Sequence, residues 1–306
     1  MDGKKVLFLV GPTACGKTET AVRLAEILDG EIVSSDSMQI YKLMDIGSAK
    51  PSLNEMRGIP HYLMGEIDPK EYFTVKDYEI LAKGYIRDIL KRGKTPLITG
   101  GTGLYVNSLI YDMDFTQTSF DPLFREEMEE FERTKGRDEL HKLLFQKDPE
   151  AASRIHKNNV KKVIRALEIL SNGDKVKPFE ESFMPCKEYR PLICGLYRER
   201  DELYKRIDKR AEELMKKGLI MEVKMLMDRG LTKKDISLLG IGYKEIYDYL
   251  MGETSLKEAE GLIKQHTKNL AKRQMTWFRR YKDVFWVNMT LSCDPVGEIV
   301  SWWKKQ

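Results

Sequence analysis

A chain of 306 residues and 35.6 kDa is long enough to bury a sizeable core, as one large domain or two. Its 42% hydrophobic and 33% charged residues are the balance of a soluble globular protein, and no apolar run approaches the length of a membrane span. The formal charge of +4 is mild, so any preference for nucleic acid has to come from local clusters. Four cysteines without CxxC spacing argue against a disulfide framework or a zinc site, and fit a reducing cytoplasm.

In chain order, VLFLV at 6–10 reads as a buried strand. It starts so early that no signal or transit peptide is expected ahead of it. The segment that follows, Gly11-Pro12-Thr13-Ala14-Cys15-Gly16-Lys17-Thr18, has the GxxxxGK[ST] pattern, and a helix is expected at 19–28. Glycines there let backbone N–H groups wrap an oxyanion, lysine adds a point charge, and the Thr18 hydroxyl can ligand magnesium. The pattern specifies a di- or triphosphate but not its fate.

A second strand, 32–34, ends in Ser35-Asp36-Ser37-Met38-Gln39. A carboxylate at that edge can ligand magnesium through water, accept a proton, or simply cap a turn. Gln39 has the donor–acceptor pair that reads an adenine edge, although surface glutamines are common. Residues 74–91 carry apolar side chains at helical spacing, with Gly93 just past the end. TPLITGGTGLYVNSLI then gives another strand, a glycine turn and a helix; the glycines allow close approach to a ligand, with Thr102 to orient it, or a tight helix start. These strand–loop–helix units predict an α/β fold with a parallel, helix-covered sheet and ligands at the strands' carboxyl ends.

Residues 116–190 are charged and helical in pattern with no convincing strand, after which YRPLICGLYRERDELYKRID returns to strand and helix. The reading is a helical insertion at 116–190 in a core made of 1–115 and 191–306. In the helix after 200, Arg206 and Arg210 share a face, where they either close over a pyrophosphate or form a solvated surface paired with Glu202, Asp208 or Glu213. Residues 261–282 contain no Asp or Glu, while Lys272, Arg273 and other basic residues accumulate among Gln274, Trp277 and Tyr281. That composition suits a nucleic-acid phosphate track, with the aromatics favoured as core. Lys161, Lys162 and Arg165 form a further basic patch in the insertion.

GPTACGKT, SSDSMQIY, IPHYLMGEIDP, LITGGTGLY, NNVKKVIRALEI, GIGYKE and LAKRQMTWFR occur here in one order. In that set the chain resembles the bacterial tRNA dimethylallyltransferases, also called tRNA isopentenyltransferases, from residue 6 to about residue 286. The resemblance implies a P-loop NTPase-like core that moves a dimethylallyl group from dimethylallyl diphosphate to N6 of adenosine 37 of tRNA. It implies that Gly11 to Thr18 hold the leaving pyrophosphate with Mg²⁺ at Thr18, and that Asp36 is the base. Lys17, Thr18, Thr102, Arg206 and Arg210 complete the expected catalytic set. Asp36, Ser37, Met38, Gln39, Thr102, Lys161, Lys162, Arg165, Lys272 and Arg273 are the expected tRNA contacts. A monomer is expected. Cys15 is a departure, since the family more often has serine there. A P-loop kinase using ATP, or an RNA-binding module with a relict anion site, is the competing expectation.

Overall fold

The computed structural model describes residues 3–113, 121–178, 183–232, 235 and 240–306, and the expected junction at 115/116 lies outside them. Contacts divide the chain into two compact units, residues 1–110 with 186–306, and residues 111–185.

The larger unit is built on six parallel strands in the order β3-β2-β4-β1-β7-β8. In chain order it contains β1 (Lys5–Val10), α1 (Lys17–Ile27), β2 (Gly30–Ser34), α2 (Leu53–Met56), β3 (His61–Tyr62), α3 (Val75–Lys91), β4 (Thr95–Gly100) and α4 (Gly103–Ile110). In β1, β2 and β4 at least five successive residues are buried, the signature of strands covered on both faces. Leu7, Leu9, Ile32, Leu97 and Cys194 form the core beneath Ala21 and Leu24 of α1. Helix α3 begins where Thr74 and Asp77 form a reciprocal capping box, and Gly93 just past its end takes φ 78°.

The smaller unit holds β5 (Tyr111–Asp112), α5 (Pro122–Lys135), α6 (Arg137–Lys147), α7 (Pro149–Arg154), α8 (Val160–Ser171) and β6 (Met184–Pro185). Met128, Leu140, Leu144, Val163 and Leu167 fill its own core. The buried Glu168 carboxylate accepts from the Asp121 N–H at 2.9 Å, Arg125 at 2.7 and 3.0 Å, and Arg165 at 2.5 Å. The expectation of no strand at 116–190 needs one correction: β6 pairs antiparallel with β5. Two paired residues leave no alternation to read in a sequence.

The chain returns to the larger unit with β7 (Arg190–Tyr197), α9 (Arg200–Lys216), α10 (Leu219–Asp228), α11 (Tyr243–Leu250), α12 (Leu256–Phe278), β8 (Val284–Asn288) and α13 (Pro295–Lys304). Helix α9 buries Leu203, Ile207 and Ala211 along one apolar stripe, with Leu214 at its end half-buried. The carboxyl ends of β1, β2, β4 and β7 therefore stand on one edge of the sheet, where an open parallel fold binds its ligands.

Candidate active site

The loop after β1 owes its path to backbone conformations that few side chains permit. Gly11 has φ 152° and Gly16 φ 111°, and a Cβ on Gly11 would collide with the Leu196 carbonyl of β7. The loop's carbonyls are bonded to cations. Lys17 Nζ donates to the Gly11 and Pro12 carbonyls at 2.9 and 2.8 Å. Arg206 Nε donates to the Ala14 carbonyl at 2.9 Å, and Arg198 Nε to the Cys15 carbonyl at 3.0 Å. Gln274 on α12 accepts from the Thr13 N–H at 2.8 Å and donates to the Gly101 carbonyl at 3.0 Å, joining this loop to the glycine turn. Thr18 is exposed in the first turn of α1, and its hydroxyl has no hydrogen-bond partner among the described residues.

At the end of β2 the chain turns over Asp36, whose Oδ1 accepts from the Met38 N–H at 2.9 Å. Thr102 fixes that turn from the next strand end. Its N–H donates to the Ser35 carbonyl at 3.0 Å, while its hydroxyl accepts from the Ser37 N–H at 2.9 Å and donates to Ser37 Oγ at 3.1 Å. The glycines of the turn make room for protein. A Cβ at Gly100 would strike the Ser35 backbone, at Gly101 the Gln274 amide, and at Gly103 the Trp277 ring. Gln39 also faces inward: its Oε1 accepts from Ser34 Oγ at 3.2 Å and its Nε2 makes long contacts to the Ser48 and Ala49 carbonyls, 3.5 and 3.4 Å. Its amide is thus engaged within the protein, whereas the sequence left it between an adenine contact and an ordinary surface glutamine.

Lys17, Asp36 and Arg210 share one electrostatic environment. Burial pushes the Lys17 ammonium below its ordinary value, Cys15 and Asp36 oppose that shift, and Arg210 adds to it. Burial likewise lowers Arg210, against the pull of Asp36. Neither cation makes an ion pair among the described residues. Two cations with excess positive field beside a phosphate-type loop are an arrangement whose charge suits a polyanion. Tyr78 and Tyr105 are stacked with ring centroids 3.8 Å apart; burial raises both phenols, and the Asp36 charge adds to it.

The basic residues divide by what they contact. On α12, Lys264 pairs with Glu212 at 2.8 Å and Lys268 with Asp208 at 2.6 Å, so both are committed to α9. Lys272 and Arg273 are exposed and make no ion pair among the described residues. Phe278 and Tyr281 are buried, and Trp277 is half-buried with its indole N–H on Asn107. In the smaller unit Lys161 and Lys162 are exposed on α8, and Arg165 is bound to Glu168.

The family described as IPP transferase matches residues 39–281. The tRNA dimethylallyltransferase of Alkaliphilus oremlandii is 47% identical over 300 residues, covering 97% of this chain and 96% of that protein. The chain belongs to the IPP transferase family. The same name attaches to a Clostridioides difficile relative, 48% identical over 93% of this chain and 91% of its own length. Among solved structures, a tRNA isopentenylpyrophosphate transferase from Bacillus halodurans superposes with a TM-score of 0.74 at 42% identity, covering 99% of this chain and 96% of that one. A eukaryotic dimethylallyltransferase acting on tRNA gives 0.80 at 27% identity, over 97% of this chain and 77% of its own. The fold is the α/β, P-loop-type fold of these transferases.

Set against the IPP transferase expectations, Lys17, Asp36 and Arg210 are brought into one field, Thr102 braces the Asp36 turn, and Arg206 holds the loop's backbone. Two residues escaped the sequence reading. Gln274 was visible only as a polar residue within a basic helix, and Arg198 only as the i,i+4 ion-pair partner of Glu202. The contacts that place them at the loop are to backbone carbonyls and an N–H, which leave no trace in side-chain spacing.

Proposed function

We propose that the protein transfers a dimethylallyl group from dimethylallyl diphosphate to N6 of adenosine 37 in tRNA, releasing pyrophosphate. The observation that carries this reading is the joint placement of Lys17 and Arg210, unpaired cations at the phosphate loop, within the field of a carboxylate, Asp36, on the neighbouring strand end. As the allylic C–O bond breaks, its electron pair leaves with the pyrophosphate oxygen. Lys17, Arg210 and the loop amides stabilise that growing charge. The N6 lone pair forms the new C–N bond, and the N6 proton passes to Asp36, which offsets the poor nucleophilicity of an amine conjugated with its ring. Thr102 keeps the Asp36 turn in place while this happens.

Magnesium fits beside this arrangement. Such sites hold it by one or two protein oxygens together with phosphates and water, and the unpartnered Thr18 hydroxyl would supply one. When bound it would neutralise charge on the diphosphate. Exposed Lys161 and Lys162 in the insertion, with Lys272 and Arg273 on α12, take tRNA phosphates. The setting is the cytoplasm and the working unit a monomer.

Purified protein incubated with tRNA and labelled dimethylallyl diphosphate should yield N6-prenyladenosine, without any requirement for ATP. Label transferred from γ-labelled ATP to a substrate, with no prenylated nucleoside, would give the reaction to the kinase reading.

A further inference from the structure

The chain between Asp36 and α2 makes a long excursion with little regular structure, and what holds it comes from the far end of the sequence. Three successive amides, Asp45, Ile46 and Gly47, point at one carboxylate. Glu222 Oε2 accepts from the first two at 2.9 and 2.7 Å, and Oε1 from the third at 2.9 Å. Consecutive backbone N–H groups turned to one side make an anion nest, here filled by the protein's own side chain. Glu222 is buried in the first turn of α10, where the helix dipole favours its charge.

Tyr243, the first residue of α11, closes the arrangement. Its hydroxyl donates to Glu222 Oε1 at 2.8 Å and accepts from the Ser48 N–H at 3.2 Å. Its ring lies so close to Gly47 that a Cβ there would be 2.5 Å from a ring carbon. The clamped segment reaches the site by two routes. Gln39 bonds to the Ser48 and Ala49 carbonyls and to Ser34. Met38, two residues after Asp36, packs on Gly240 just before α11, where a Cβ would be 2.6 Å from its sulfur. The phosphate loop, by contrast, is braced by Gln274, Arg198 and Arg206, none of which is hydrogen-bonded to this clamp among the described residues.

We infer that Glu222, with Tyr243, is a positioning residue for the acceptor edge, setting residues 36–39 for the tRNA adenosine while leaving the diphosphate site to its own braces. This rests on the proposed reaction, but the clamp itself can be tested apart from it. The side-chain chemistry predicts a graded series. Tyr243→Phe removes one hydroxyl and leaves the Ser48 N–H without its partner. Glu222→Gln turns an amide NH₂ toward backbone donors, whereas Glu222→Asp keeps a carboxylate a methylene short.

Steady-state kinetics, pyrophosphate binding by calorimetry and amide exchange over residues 38–50 should be measured for the wild type and all three variants. The expected result is a tRNA KM raised about 3-fold in Tyr243→Phe and about 10- to 50-fold in Glu222→Gln, in the range set by losing one neutral or several charge-assisted hydrogen bonds, with partial rescue in Glu222→Asp. Exchange at 45–48 should quicken in the same order, and pyrophosphate affinity should stay within about 2-fold. An unchanged tRNA KM in Glu222→Gln would overturn the inference, as would pyrophosphate affinity falling in parallel with it. If the wild type prenylates no tRNA, the proposed function fails, and the exchange and pyrophosphate arms still decide whether the clamp exists and which edge it serves.

Discussion

The two ends of the same parallel sheet treat charge in opposite ways. At the amino end of β2, the buried Glu31 carboxylate is saturated: Arg92 donates to both oxygens at 2.5 and 2.6 Å, and the Tyr62 hydroxyl adds a third bond at 2.8 Å. The Arg92 hydrogen bonds hold its acidity at about 2, well below the ordinary carboxylate value. At the carboxyl end, Lys17 and Arg210 sit in surroundings that disfavour their charge, and neither has an ion-pair partner among the described residues. Charge paired within the protein stabilises the fold. Charge left without a counter-ion costs the fold stability, which is the pattern expected where a charged substrate binds.

If that contrast is right, substitutions at the carboxyl end show chiefly in rate and substrate affinity. Asp36→Asn is nearly isosteric and should keep both substrates bound while slowing turnover roughly 10²–10⁴-fold, the usual worth of a positioned base. Single-turnover assays with saturating tRNA would measure it, and normal turnover would remove Asp36 from the chemistry. Lys17→Ala should lower kcat/KM for the diphosphate by roughly 10²–10³-fold, since its charge matters most as the leaving group ionises. A smaller loss, about 3- to 10-fold in kcat, is expected for Thr102→Val, which removes one hydroxyl's worth of support from the Asp36 turn.

These two ends also differ in how far they can be read from sequence. The phosphate loop was legible because its conformation is local: Gly11 and Gly16 take φ values that demand glycine, and the lysine follows at fixed spacing. The position of Asp36 was legible as the end of a strand, but its support was not. Thr102 is 65 residues from Ser37 along the chain, and Glu222 is 175 residues from Gly47. The glycine turn stayed open between a ligand contact and a tight helix start for the same reason, because the neighbours a Cβ would meet there, Ser35, Gln274 and Trp277, come from distant segments. Strand β8 and helix α13 carried local signals, VFWVN and an Asp294 cap followed by proline, which lay beyond the residues that the chemistry drew attention to.

The amino end should show the converse behaviour. Glu31→Gln replaces a charged, bidentate partner of Arg92, so it should destabilise the protein by about 1–3 kcal/mol at neutral pH without altering kcat of the folded enzyme. The pH dependence has a definite sign. The Glu31 acidity is lowered on folding from 4.5 to about 2, so the unfolded chain binds more protons within that window. Its contribution is fully present above pH 4.5 and is lost as pH falls toward 2. Denaturant titrations across that range should show a shallower acid slope in the variant. An equal slope would mean that Glu31 is not the paired counterpart of the site edge.

The smallest effect tests the contrast most directly, because its sign is unusual. Arginine stays charged at any working pH, so the burial that lowers the Arg210 value is a standing penalty on the folded state, only partly offset by Asp36. Arg210→Met keeps an aliphatic side chain at this half-buried position and removes its partly desolvated charge. It should therefore raise stability by about 0.5–2 kcal/mol, the range typical of substitutions that relieve a functional site. Pyrophosphate affinity should fall at the same time, because the polyanion loses a charge-assisted partner. Calorimetric unfolding with and without pyrophosphate separates the two: the variant should melt higher than the wild type alone, and gain less from the ligand. A variant that melts lower in the absence of pyrophosphate would show that Arg210 is satisfied within the protein, which would place it with Arg92 as a paired structural charge.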